Sequence, residues 1–98
     1  MASFDAAAAV KRKLNITWTD DATDERVADI MESVRPALAK VLGVSADSVE
    51  FAQRGEVMNL YVNACFYEWN HAYDDFLANY AGEIQRVRLE NDMAALNA

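Results

Sequence analysis

Between Val57 and Val87 the chain reads VMNLYVNACFYEWNHAYDDFLANYAGEIQRV, with no Lys or Arg before Arg86. Set out at roughly 100° per residue, Val57, Tyr61, Ala64, Ala72, Cys65, Met58, Phe76, Trp69, Val62, Tyr73 and Phe66 fill one continuous arc, more than half the circumference. Asn59, Asn63, Asn70 and Asp74 leave only a thin polar stripe. An amphipathic surface helix has a narrower apolar face than this. A helix of this kind is the central post of a small helical domain, or it buries one side in its own fold and another in a neighbouring subunit. Two continuations are open: the helix runs straight into 75–91, or it breaks near 70–74 and restarts with Asp74 as cap.

A chain of 98 residues supports one domain with one modest core. Three Gly and one Pro leave few turn signals, and few segments alternate apolar and polar residues with period two. Both features point to an all-α fold, a bundle of about four to five helices around the long apolar one. The domain spans 1–98, with flexible ends expected at 1–4 and 92–98.

The first helix is expected from about Asp5 to Lys13, capped by Ser3 or Asp5 and favoured by Ala6 to Ala9. Lys11-Arg12-Lys13 then falls at a helix C-terminus, where cations meet the negative end of the dipole. Leu14, Ile16 and Trp18 alternate along an extended connection and are expected to plug into the core. In the second helix Val27, Ile30, Met31, Val34, Leu38, Val41 and Leu42 recur at helical spacing. Thr23 is the expected N-cap and Gly43 the residue that ends it. Pro36 lies inside the pattern and removes a backbone donor, which predicts a kink or an offset between two half-helices. Ser45 to Ser48 reads as a short helical turn, with Val49 and Phe51 pointing inward. Ile84, Val87, Met93 and Leu96 read as one thin apolar edge near the C-terminus, with fraying over 94–98.

The formal net charge of −7 argues against a surface that grips nucleic acid. Cys65, the one cysteine, has no intrachain partner and reads as a small core residue. No signal-peptide pattern is visible and no apolar run reaches the length of a membrane span, so no membrane association is expected. The acidic cluster Asp20, Asp21, Asp24 and Glu25 sits where a helix dipole favours it, and it lacks the spacing of a calcium loop. Glu68-x-x-His71 has the spacing of a di-iron bundle ligand pair, but such sites need two of these motifs and the chain has a single His. The reading we favour pairs Glu68, set among Tyr61, Ala64 and Ala72, with Arg26 or Arg35. No Ser-His-Asp set, phosphate-binding glycine loop or Cys/His cluster is present, so neither catalysis nor a cofactor or metal is expected. The aromatic belt of Tyr61, Phe66, Tyr67, Trp69, Tyr73, Phe76 and Tyr80 exceeds what a core this small is expected to enclose. Part of it is therefore expected to be a protein contact surface.

Two stretches resemble the small all-helical head–tail connector (adaptor) proteins of long-tailed bacteriophages and prophages. One is Lys13-Leu14-Asn15-Ile16 leading through Asp20-Asp21…Asp24-Glu25 into the amphipathic 27–43 helix. The other is Ala64-Cys65-Phe66-Tyr67-Glu68-Trp69-Asn70, similar to that family's aromatic-Tyr-Glu run. The chain departs from the pattern in Trp69-Asn70-His71, where members often carry Asn-Arg, and in the long continuation from Asp74 to Asn91. The resemblance implies a non-enzymatic virion protein made in the host cytoplasm. It would form a homo-oligomeric ring beneath the portal and extend the DNA channel toward a tail-side connector or tail-completion protein. DNA would pass without specific binding. Tyr67, Trp69, Tyr73 and Tyr80 are then the contact candidates, and the ends 1–13 and 92–98 would order on assembly. The alternative is a small acidic helical protein that blocks a basic surface of a host protein.

Overall fold

A computed structural model describes residues 5–96. The described chain forms five α-helices and one 3-10 helix, with no strand among the described residues. The first helix, α1 (Ala6–Lys13), is capped by Asp5, whose Oδ1 accepts from the Ala8 N–H at 3.1 Å. Ser3, the other cap considered, lies outside the described residues. Val10 is fully enclosed, and it anchors a helix too short to persist without docking. In the connection that follows, Ile16 is buried and Leu14 packs at the edge of the core, but Trp18 does not plug in. It stays 53% exposed, and its indole N–H donates to Thr23 Oγ1 at 3.3 Å, which holds the ring against the start of the next helix.

That helix, α2 (Asp21–Leu42), begins one turn earlier than the sequence suggests. Asp20 is the cap: its carboxylate accepts from the Thr23 N–H at 3.1 Å and from the Thr23 hydroxyl at 2.9 Å. A charged acceptor at the positive helix end outcompetes a hydroxyl, so Thr23 is capped rather than capping. α2 continues through Pro36 as a single element to Leu42, so the kink or offset expected there does not divide it into two helices. Pro36 and Glu32 both face solvent, where water can take the carbonyl that the missing N–H leaves free. Val27, Val34, Leu38, Ala39 and Leu42 form the buried face.

Gly43 ends α2 in the left-handed region, with φ 73° and ψ 30°. A Cβ here would sit 2.9 Å from Cδ and Nε of Arg88, which lies across the glycine. The last carbonyls of α2 are met from the C-terminal part of the chain: Arg88 donates to Lys40 O at 3.5 Å, and Asn91 Nδ2 donates to Leu42 O at 3.0 Å. Gly43→Ala should therefore cost about 1–2 kcal/mol from backbone conformation alone. It should cost more in total, because Arg88 must move, and the midpoint of urea unfolding measures the loss.

The turn expected over 45–48 forms, closed by the Ser48 N–H donating to Ser45 O at 3.0 Å, and a 3-10 helix over Val49–Ala52 follows it directly. Phe51 is buried, with its ring edge-on to Tyr61 at 5.2 Å between centroids. Val49 is 69% exposed rather than inward-facing. At three residues per turn, positions two apart cannot share a face.

α3 (Glu56–Trp69) is the central element, touching α1, α2, the 3-10 helix and the helix that follows. Val57, Met58, Leu60, Tyr61, Ala64 and Cys65 are buried along it. Tyr61 is 1% exposed, and its hydroxyl donates to Met31 O at 2.9 Å, so no polar atom is left without a partner there. Asn63, read as part of a polar stripe, is buried too, and its amide donates to Asn59 O at 2.8 Å.

The uninterrupted apolar helix across 57–87 does not form. α3 stops at Trp69 and the chain turns through Asn70, His71 and Ala72. His71 takes a left-handed φ of 57°, Ala72 N–H donates to Tyr67 O at 2.8 Å, and Asn70 Nδ2 donates to Phe66 O at 2.9 Å. The short α4 (Tyr73–Asn79) then follows Ala72, and α5 (Ala81–Leu96) follows Tyr80. Asp74 lies within the first turn of α4 and is not its cap.

Candidate functional site

The turn at 70–72 folds α4 back on α3 and gathers the aromatic residues around Phe76, which is fully buried. Tyr80 stacks on Phe76 at 4.9 Å between centroids and Tyr73 stacks on it at 5.7 Å. Tyr67 leans on Phe76 at 6.0 Å and meets Tyr80 edge-on at 6.0 Å. Phe66 packs edge-on against Tyr67 at 5.8 Å. Three of the four contact candidates thus converge on one ring. The fourth, Trp69, stands apart at the end of α3, under the Arg26 guanidinium at 4.0 Å from the indole centroid. All four are half-buried and pack against the core, so the belt is a domain core with one side open rather than a free hydrophobic face.

Beside it lies an open recess of about 440 Å³ lined by Glu68, His71, Ala72, Tyr73, Asp74 and Asp75. The Tyr73 hydroxyl is enclosed and has no hydrogen-bond partner. Burial raises its pKa above the ordinary phenol value, and the nearby Glu68 carboxylate adds to the shift. Glu68 does not pair as expected. Arg26 is taken by Trp69, where its guanidinium also donates to the backbone carbonyl at 3.0 Å, and Arg35 pairs with Glu32 at 3.1 Å. The Glu-x-x-His spacing also fails, because His71 lies beyond the end of α3 with a left-handed backbone. Among the described residues no group of three or more His, Cys, Asp or Glu is disposed to hold a metal ion.

The charged segments are drawn into the fold. Lys11 pairs with Asp24 at 2.5 Å, which joins α1 to α2, and Lys13 lies 5.6 Å from the Phe66 ring centroid. Two of the three cations in the Lys11-Arg12-Lys13 run are thereby partnered within the chain. Asp20 and Asp24, half of the acidic cluster, are used as a cap and as an ion-pair partner. Cys65 is fully enclosed, and burial, then the charge of Glu68, pushes its thiol up to about 12. It stays protonated and unreactive at neutral pH.

One surface was not recognised in the sequence. The apolar edge assigned to Ile84, Val87, Met93 and Leu96 is two edges. Val87 is buried and Ile84 packs at the core margin, whereas Met93 and Leu96 are exposed at 61% and 85% and join Leu89 at 54%. The signal was the spacing of 89, 93 and 96, which sets these residues on one side of a helix. No helix among the described residues is long and apolar enough to cross a membrane.

The fold defines an all-α domain with an aromatic cluster open on one side. Comparison with protein-family models, curated proteins and solved structures finds no match to the chain.

Proposed function

We propose that this chain is a head–tail connector subunit of a long-tailed phage or prophage, assembling as a ring beneath the portal and extending the DNA channel toward the tail. The observation that carries the reading is the order of its two marker stretches. A short capped helix leads through Leu14-Asn15-Ile16 and an acidic start into α2, and an aromatic-Tyr-Glu run closes α3. Two physical features support it. The net charge of −7, with Lys11 and Lys13 partnered internally, gives DNA little to adsorb to. The half-exposed rings of Tyr67, Trp69, Tyr73 and Tyr80 offer large contact area at low entropic cost, as protein interfaces favour.

Native mass spectrometry with negative-stain imaging tests this, on the protein alone and mixed with a phage portal protein. Closed rings, or a portal-bound ring, are the expected result. A chain that forms neither across the accessible concentration range is not a connector. Alanine at Tyr67, Tyr73 or Tyr80 would also uncover Phe76, so it confounds contact with stability. Reversing the exposed Asp74 and Asp75 to Lys, at the rim of the recess, should block association while leaving the helical circular-dichroism signal unchanged.

A further inference from the structure

We propose that two copies of the chain pair antiparallel through the outer face of α5, centred on Leu89. Gly82, Gln85, Leu89, Met93 and Leu96 are all exposed and recur at three- and four-residue steps, so they form one line along the helix. This line lies opposite the face that Ile84, Val87 and Asn91 turn inward. A helix with apolar residues on two opposite sides has one side more than its own domain covers.

The charges beside the line indicate what covers it. Arg86 and Glu90 flank it on one side, and Arg88 and Asp92 on the other. In an antiparallel pair with two-fold symmetry each flank meets its own equivalent. With Leu89 on the axis, Arg86 falls about 3 Å along the helix from Glu90 of the second copy on one flank and Arg88 about 3 Å from Asp92 of the second copy on the other, at 1.5 Å per residue, and by symmetry the reverse. Both flanks are self-complementary in one register. That same register sets Gln85 against Met93 and Gly82 against Leu96. Gly82 sits in the first turn of α5, where alanine is a better helix former than glycine. Nothing in the fold requires it at position 82, where an added Cβ would meet no atom within 4 Å. Opposite Leu96 of a second copy it makes room for the side chain. A parallel pair would set Gly82 against Gly82 and Leu96 against Leu96, so the helix separation could not be uniform.

The arginines are already engaged in part, Arg86 with Glu56 and Arg88 with Asp92 at 3.5 Å. The cross-helix charges therefore set register more than affinity. The overlap over 82–96 is only about 21 Å long at 1.5 Å per residue, so a weak, concentration-dependent dimer is expected. An isologous contact closes at two copies and cannot propagate a ring. The pairing thus stands independently of the connector reading.

Sedimentation equilibrium of the full chain over a wide concentration range tests it, together with disulfide trapping of Leu89→Cys. Cys65 is enclosed and will not compete. The expected result is a monomer–dimer equilibrium that Leu89→Glu weakens roughly tenfold or more without shifting the thermal midpoint. Leu89→Cys should form covalent dimers faster than Met93→Cys. The double variant Glu90→Arg with Asp92→Arg should also weaken the dimer. A strict monomer overturns the proposal, as does faster trapping at Met93→Cys. Rings that assemble directly from monomer, with no dimer at any concentration, would overturn it while leaving the connector reading intact, and dimers that never form rings or bind a portal would do the reverse.

Discussion

Phe76→Ala should lower the free energy of unfolding by about 3–5 kcal/mol, the usual range for removing a buried phenylalanine ring. Small domains have net stabilities of roughly 5–15 kcal/mol, so this single change would remove much or most of it. The expected size follows from the environment. Phe76 is completely enclosed, with Tyr73 and Tyr80 stacked on it and Tyr67 tilted against it. α4 is only seven residues long and has no side-chain cap, so it has little helical stability of its own. Phe76 is its one fully buried residue. Loss of the ring should release α4 from α3 and leave the cavity poorly refilled, because the surrounding rings are rigid. Urea unfolding followed by circular dichroism measures the loss. Tyr80→Phe, which keeps the stacked ring, should change stability by well under 1 kcal/mol. A Phe76→Ala loss no larger than that would show that the cluster does not hold α4 in place.

Alkaline pH should destabilise the fold steeply. The Cys65 thiol rises from an ordinary 9.0 to about 12, first through burial and then through the Glu68 charge. The Tyr61 hydroxyl rises from 10.0 to about 12, mainly through burial. Both groups become charged by losing a proton, so the folded state holds those protons more tightly than the unfolded chain does. Their contribution is fully present below pH 9 and is lost as pH climbs toward 12. Within that window each group costs up to about 1.4 kcal/mol per pH unit, which sums to a few kcal/mol or more across the two. The unfolding midpoint should stay flat up to about pH 9 and then fall with increasing slope. In Cys65→Ala the protein should be weaker at neutral pH because of the lost packing. The fall between pH 9 and 10 should nevertheless flatten, since the first group to titrate is gone. An unaltered slope in that variant would mean that the thiol is not the group responsible.

The aromatic surface and the outer face of α5 differ in kind. The first is continuous with the core, and its rings support one another through Phe76. Substitutions there report stability and contact together. The second carries no packing role within the chain, so changes at Leu89 or Met93 separate association from folding. That separation makes α5 the cleaner place to ask how the chain meets a second copy of itself.

Much of the fold was legible in residue patterns alone. The all-helical class follows from scarce Gly and Pro and from apolar residues recurring at three and four positions. The limits of α1 and the C-terminal end of α2 follow from local chemistry: an acid that accepts backbone N–H groups, and a glycine that takes positive φ without strain. These are short-range effects, decided within one turn of helix. The start of α2 needed only the comparison of Asp20 with Thr23 as acceptors, which is also local. What neighbouring residues could not decide was how far the apolar stretch after Val57 continues as one helix. Tyr67, Phe76 and Tyr80 gain more by closing on one another across a turn than by lying along one rod, and that turn holds His71 in a left-handed conformation. The same tertiary choice left Glu68 without the two expected arginines, because Arg26 had a better partner in Trp69 and Arg35 pairs with Glu32. It also split the apolar residues of α5 into an inward set and an outward set. Periodicity identifies which residues share a face, but only the packing of α5 against the end of α2, through Arg88 and Asn91, decides which face looks in.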